Sequence, residues 1–438
     1  MPVYSETEQV GDADDGADVR EVPMSDMIHG TTESTTSPMW DVSDAAFRAE
    51  PYPFYDRLRT ADPVHVTETG AVVLTRYDDV LNTLRSNDFS RDIVASATGR
   101  DDPVSMRRAK RARSGSKSIL NLDPPDHTRL RRLVSKAFTP TAIERLRGSI
   151  GQLVDQSLDR AADAGEMELV EELAFPVPFQ VISNLLDIPD DRESEVREWS
   201  SALTASLEPT ATLDDLDAAE AASAQLAPYL LEIVDERRRH LGDDVLSGLI
   251  AVEEEGDRLT LAELLTFVVL LYVAGHETTV NLIGNGTYAL LRNPDQLDLW
   301  RGDPSLDASA IDELLRFDGP VQQTARVPTV PVEYTVDGRT IVVEPGTFVN
   351  PWLGAANHDP AVFADPGRLD LRRTNCNRHV AFSAGIHYCL GASLARLEAT
   401  IAITRLIRRF PRLELVSEPV YRDRVTIRGI DEMRLVTR

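Results

Sequence analysis

Ala274-Gly275-His276-Glu277-Thr278-Thr279 interrupts an apolar run that begins at Leu264-Leu265-Thr266-Phe267-Val268-Val269-Leu270-Leu271 and resumes beyond it. Ahead of the run, Thr260-Leu261-Ala262-Glu263 reads as a capping box, in which hydroxyl and acid satisfy each other's backbone N–H groups. The pattern predicts one helix from 260 to about 291, roughly 45–50 Å long at 1.5 Å per residue. Such a helix crosses an entire domain. Its apolar stretch is shorter than the ~20 residues that span a bilayer, which makes it a core helix. A carboxylate in the middle of a buried helix is costly unless it is paired, hydrated or functional. Glu277 and Thr278 together supply an acid and a hydroxyl, the parts of a short proton relay. A helix end or surface kink is the plainer explanation of the same residues. Gly275 weakens the helix at this point, as happens at ligand-contacting bulges.

On either side of this helix the pattern stays mainly helical. From about 127 to 317 the apolar period is that of helices; Leu130, Leu133, Val134 and Ala137 form one face, and Thr139-Pro140 offers an N-cap and a first-turn proline. Two hairpins flank the helical region. Val64-His65-Val66-Thr67 and Ala71-Val72-Val73-Leu74 surround Glu68-Thr69-Gly70. Val332–Val336 and Thr340–Val343 surround Asp337-Gly338, a dipeptide that tolerates the positive φ of a tight turn. The expected fold is mainly α with small β-sheets. Residues 1–40 are rich in acids, Ser and Thr and poor in periodic apolar positions, so they read as a disordered acidic tail. No fixed-period repeat and no Pro/Ser-rich linker divides the remainder, which is expected to form one domain over 41–438.

Composition narrows the function. The 438 residues carry a formal charge of −26, which repels phosphate backbones and anionic lipid and argues against nucleic-acid or membrane partners. Only Cys376 and Cys389 occur, too few for a disulfide framework and in keeping with a reducing compartment. The N-terminus lacks the basic-then-apolar order of a signal peptide, so the expected location is the cytoplasm, without a membrane anchor.

Cys389 has an informative setting. Phe382-Ser383-Ala384-Gly385-Ile386-His387-Tyr388-Cys389-Leu390-Gly391 leads into a helix whose buried stripe is Leu390, Leu394, Leu397 and Ile401. The Cys therefore lies at a helix N-terminus, where the dipole and free amides favour a thiolate and hence a metal ligand. Gly385 and Gly391, lacking Cβ, would let a flat ligand approach the sulfur, and Phe382 would pack against it. A small buried hydrophobe is the bland alternative for a lone Cys. A zinc site built from Cys376, His379, His387 and Cys389 is another, but it leaves the Glu277–Thr278 helix unexplained.

These residues resemble the cytochrome P450 family from about residue 45 to the C-terminus. The family's Phe-x-x-Gly-x-His-x-Cys-x-Gly loop is met at Phe382, Gly385, His387, Cys389 and Gly391, and its Ala-Gly-x-Glu-Thr motif at Ala274 to Thr278. The resemblance implies the cytochrome P450 fold, with the 260–291 helix crossing a haem b whose axial thiolate is Cys389; thiolate ligation favours O–O cleavage. It makes Glu277 and Thr278 the catalytic pair that delivers protons to bound dioxygen, with Ala274 and Gly275 against the cofactor. It assigns the propionates to His127, Arg131, Arg326 and His387. Glu313 and Arg316 match Glu-x-x-Arg, with Arg368 as the expected third member of a structural ion-pair network. Ser383 stands where the family often has Gly, which puts the hydrogen bonding near sulfur in doubt.

The implied activity is insertion of one oxygen atom of O2 into a C–H bond of a hydrophobic small molecule, whether lipid, steroid, terpene or polyketide. A peroxide-driven hydroxylase and a non-catalytic haem-binding protein are the alternatives. By the same resemblance the pocket is lined by Phe89 to Ser118, Ser200 to Pro228, Leu270, Ala274 and Val321 to Thr324. Electrons would come from a ferredoxin and its reductase, docking by charge near Arg129 and Arg132, with the enzyme a monomer.

Overall fold

The structure is a computed structural model that describes residues 28–29, 41–98, 102–113, 117–189, 191–242, 244–251, 253–254 and 257–438. The expected acidic tail lies outside these residues except Ile28–His29, which pair antiparallel with Val343 and Val342. Helices dominate, and the sheets among the described residues have two or three strands.

The central helix runs Leu261–Arg292, opened by the predicted capping box: Glu263 N–H donates to Thr260 Oγ1 at 3.2 Å and Thr260 N–H to Glu263 Oε2 at 2.8 Å. By length and composition it could cross a membrane. Here it packs instead against the helices Pro176–Leu186, Leu213–Arg239, Asp307–Asp318 and Ala392–Arg409, as a core helix does. Phe267, Val268, Tyr272, Val280 and Ile283 are all buried in the main core. An i, i+4 stripe of Thr266, Leu270, Ala274 and Thr278 stays partly or fully accessible along one face of this helix.

Both expected hairpins form. Val64, His65 and Val66 pair with Leu74, Val73 and Val72, and Val349–Pro351 adds a parallel strand beside Val72–Leu74. Val332–Val336 pairs with Arg339–Val343 through Asp337 and Gly338, both at positive φ, 49° and 75°. Pairing within a few residues of a turn is a local matter, and local turn chemistry decides it. Thr139 caps the helix Pro140–Glu144 by accepting the Ala142 N–H at 3.3 Å, with Pro140 in the first turn.

Several of the arginines and lysines concentrated between Arg107 and Arg132 are spent on internal contacts. Arg107 binds Glu220 and Asp217, and Arg108 binds the carbonyls of Ser206 and Glu208. Arg129 is held by Asp257 and Glu263, so it brings less net positive charge to its surface than the sequence implied.

Candidate active site

The Cys loop is shaped by its own backbone. Cys389 N–H donates to Phe382 O at 3.0 Å, Ser383 N–H to Val380 O at 2.8 Å and Tyr388 N–H to Gly385 O at 3.1 Å. The helix Ala392–Arg409 begins three residues after the Cys. Although Cys389 keeps accessible surface, protein packed around its sulfur pushes the thiol above its ordinary range; the Gly391 and Ala392 amides and Arg131 pull the other way. Burial therefore outweighs the dipole when the thiol is considered alone. Phe382 packs between His379 and Tyr388, with the Arg396 guanidinium 4.6 Å above its ring.

Two glycines have reasons other than ligand approach. Gly385 sits at φ +69°, and a Cβ there would lie 2.6 Å from the Leu84 carbonyl oxygen; its smallness admits the helix Tyr77–Arg85. A Cβ on Gly275 would come within 3.0 Å of Ile182 on the neighbouring helix, and the central helix runs through this point unbroken. Close helix packing, not a bulge, explains Gly275. Gly391 has open space around its Cβ position. Ser383 lies at φ +63° with its hydroxyl buried and unpartnered. This conformation suits glycine, so the serine is a strained replacement.

A cluster of arginines and histidines lies beside this loop. The His127 and His387 rings are 4.2 Å apart, and Arg131 donates to Tyr388 O at 2.8 Å. Arg326 is buried, its Nη1 binding Ala325 O at 2.8 Å while Nη2 has no partner; His387 Nε2 is likewise buried and unpartnered. Sequence reasoning missed Arg91, which donates to Thr324 Oγ1 at 2.8 Å and to Ala325 O at 2.6 Å. Desolvation draws Arg326 down to about 9, Arg91 to about 10 and His387 to about 3, the last with help from His127 and both arginines. Asp123 is the acid that offsets the two arginines. Donors left over in a desolvated, cation-rich corner call for anionic oxygen acceptors. Haem carries two propionates, so the residues present fit that group, with Cys389 as the candidate iron ligand. The zinc alternative finds no support: among the described residues no group of three or more His, Cys, Asp and Glu converges on a metal. Cys376 instead hydrogen-bonds Ser309 O at 3.7 Å, and His379 pairs with Asp312.

On the central helix, Thr278 Oγ1 donates to Ala274 O at 3.2 Å. Glu277 is 3% exposed and paired with Arg422 Nη1 at 2.8 Å; Arg422 also reaches the exposed Asp431 at 3.4 Å. Arg422 lies 145 residues away in the chain, and no local signal announced it. The buried acid is thus paired, not orphaned.

The expected ion-pair network exists with one member changed. Glu313 and Arg316, both fully buried, form a two-bond pair at 2.8 Å. The third side chain is Arg373, whose Nε lies 3.1 Å from Glu313; Arg368 enters only through its carbonyl oxygen, accepting from Arg316 and Arg373. The chain reverses between 365 and 373, which brings Arg373 rather than Arg368 back over Glu313.

Glu398, on the Cys helix, was not anticipated. It is buried with neither carboxyl oxygen hydrogen-bonded, and burial raises its pKa well above the usual carboxylate range, offset only by the nearby Thr279 hydroxyl. The group is held neutral in the fold. Unfolding releases it to ionise, so its contribution is complete below the ordinary carboxyl pKa and is lost as pH rises. Glu398→Gln is therefore expected to have a thermal midpoint near that of the native protein at pH 4 and to gain on it steadily up to pH 8. A gap that shrinks with pH would contradict a neutral buried acid.

A buried helix with one open face, an acid–alcohol pair on it, and a cysteine loop beside unsatisfied cations together define a haem-thiolate oxygenase site. Comparison with known proteins agrees. The family model for Cytochrome P450 matches residues 64–298 and 305–421. Cytochrome P450 107B1 of Saccharopolyspora erythraea is 42% identical over 405 residues, 89% of this chain and 96% of that protein. Cytochrome P450 monooxygenase PikC of Streptomyces venezuelae is 40% identical over 414 residues, 92% and 94% of the two chains. The ligand-free crystal structure of CYP164A2 from Mycobacterium smegmatis superposes with a TM-score of 0.81 at 41% identity, covering 90% of this chain and 98% of that one. The chain belongs to the cytochrome P450 family and is a bacterial-type monooxygenase whose cofactor is a thiolate-ligated haem.

Proposed function

We propose that residues 41–438 form one catalytic domain that hydroxylates a hydrophobic small molecule, with a ferredoxin and its reductase supplying electrons in the cytoplasm. The observation that carries this reading is Thr278 on the open face of the central helix, with the buried Glu277–Arg422 pair directly beside it in the chain. Haem b, held by Cys389, supplies dioxygen activation; overall, one oxygen atom enters the C–H bond and the other leaves as water, consuming two electrons and two protons.

The protein's part is to place the substrate and deliver those protons. Leu270, Ala274 and Val321 offer small or apolar surface, which favours a lipophilic substrate. The Thr278 hydroxyl sits one residue from Glu277. It can hand on a proton by exchanging its bond to Ala274 O for one toward the substrate side. Glu277 is ion-paired with Arg422, whose link to the exposed Asp431 gives the pair a route to solvent. A peroxide-driven enzyme would have no use for such a relay. Arg131 and Arg326, joined by Arg91, would neutralise the two propionates, while His127 and His387 would offer them neutral hydrogen-bond donors. The enzyme is taken to act as a monomer, with no nucleic-acid or membrane partner.

Thr278→Ala tests the relay. The variant is expected to keep its haem spectrum and its reductant consumption while hydroxylated product per electron falls about a hundredfold, the lower end of general acid–base effects. Product formation should need ferredoxin and reductase, with peroxide a poor substitute. Unchanged coupling, or equal turnover with peroxide, would refute the assignment.

A further inference from the structure

Three chain segments that the sequence reading placed around the pocket, or left out of it, meet at one buried residue, Glu208, through its carboxylate and its carbonyl. Glu208 follows the helix Glu193–Ala205, precedes the helix Leu213–Arg239, and is 3% exposed. Its Oε2 accepts the N–H groups of Val425 and Thr426, both at 2.7 Å, and its Oε1 that of Ile427 at 3.2 Å. Three consecutive amides converging on one anion form the kind of backbone concavity that elsewhere captures phosphate; here the chain fills it with its own acid. Arg424 returns the contact, donating to Thr204 Oγ1 at 2.7 Å and to Ser201 O at 3.0 Å. From a third side, Arg108 of the helix Pro103–Arg113 donates to Ser206 O at 2.8 Å and to Glu208 O at 2.5 Å.

The turn so gripped is also fixed on its other flank. Thr426 O accepts from Gln322 N–H at 2.9 Å, Thr426 Oγ1 from Gln323 Nε2 at 2.8 Å, and Ile427 bridges to Val321. Residues 424–427 therefore stand between the Val321–Thr324 wall and the connection that carries Glu208.

We infer that Glu208 is a specificity-determining positioning residue: its carboxylate locks the 424–427 turn to the 206–208 connection, whose carbonyls Arg108 of the 103–113 helix holds from the other side, and so limits how bulky a ligand the substrate compartment admits. This inference rests on the cytochrome P450 reading for the identity of that compartment. Releasing the carboxylate strands three consecutive amides together, so the 424–427 turn loosens as a unit. Its position at the rim permits that. Leu207 beside it is 59% exposed and Pro209 and Thr210 are exposed, so water can take over the freed groups.

The test compares native protein, Glu208→Ala and Glu208→Gln, each loaded with haem, using two nitrogen ligands of iron, imidazole and the bulky clotrimazole. Glu208→Ala is expected to raise both association and dissociation rates of clotrimazole about tenfold, the scale of one charged hydrogen bond, while imidazole affinity stays within about twofold. Glu208→Gln, which keeps an acceptor oxygen, should fall between. Without reference to haem, the amides of Val425, Thr426 and Ile427 should exchange hydrogen about tenfold faster in the Ala variant. Should Glu208→Ala not fold, Arg108→Gln, which unties only the 103–113 helix, should speed clotrimazole alone. Unaltered exchange at 425–427, or equal effects on both ligands, would overturn the inference. Failure of the native protein to show a thiolate-type carbon monoxide spectrum would instead overturn the family-based reading of Cys389, leaving the exchange result to judge the lock by itself.

Discussion

Cys389→Ala abolishes the far-red-shifted Soret absorption of the reduced, carbon monoxide-bound protein and brings hydroxylation to background, whereas Cys376→Ala leaves both intact. The two cysteines differ in setting, not in kind. Cys376 is 4% exposed, hydrogen-bonded to a carbonyl, and its thiol is pushed up by burial and by Asp312 and Glu313, as befits a small buried hydrophobe. Cys389 lies just ahead of the helix Ala392–Arg409, with Gly391 and Ala392 N–H groups and Arg131 and Arg396 favouring the anion. Burial opposes that charge, so the thiolate is complete only when iron supplies the compensating positive charge. Absorption spectra of the two variants after reduction and carbon monoxide addition decide the matter. A surviving band in Cys389→Ala would remove the ground for the entire site.

The parts of this site that could be read from sequence are those set by neighbours in the chain. Thr260 and Glu263 cap the central helix because they are three residues apart, and Asp337-Gly338 turns the hairpin because both tolerate positive φ. Glu277 stood out because an acid in an apolar helix demands a partner. Which partner could not be read. Arg422, Arg373 and Glu208 find their counterparts across 145, 60 and more than 200 residues, where the choice depends on the path of the chain rather than on spacing. Arg368 and Arg373 are nearly equivalent in sequence, and only the reversal at 365–373 separates them. Glycines are ambiguous for the same reason: Gly275 and Gly385 were taken as accommodating a ligand, but a helix side chain and a carbonyl oxygen occupy the space. Arg91 was passed over because a single arginine in a loop has no signature until Arg326 and His387 are seen beside it.

Glu313→Gln should cost about 3–5 kcal/mol of stability, the range for breaking a buried pair by removing one partner. Glu313 is the acid facing two arginines, and at zero exposure for Arg316 and 8% for Arg373 water cannot screen what is left. The glutamine amide would present at most one acceptor oxygen where the carboxylate now accepts from Arg316, Arg373 and the Asp370 N–H. The damage would reach the Cys loop. Arg316 and Arg373 grip the carbonyls of Asn357, Ala364, Asp365, Pro366 and Arg368, and Asn357 Oδ1 in turn accepts the Val380 N–H at 2.8 Å, just ahead of Phe382. Haem retention is therefore expected to fall together with the urea midpoint. An exposed pair gives the contrast: Asp159→Asn removes the partner of Arg409, and with side chains 64% and 52% exposed the loss should stay below about 1 kcal/mol. Urea unfolding of both variants, followed by haem absorbance and by far-ultraviolet circular dichroism, measures the difference. If Glu313→Gln loses no more than Asp159→Asn, the network does not brace the loop, and the geometry of Cys389 must be held by its own backbone bonds alone.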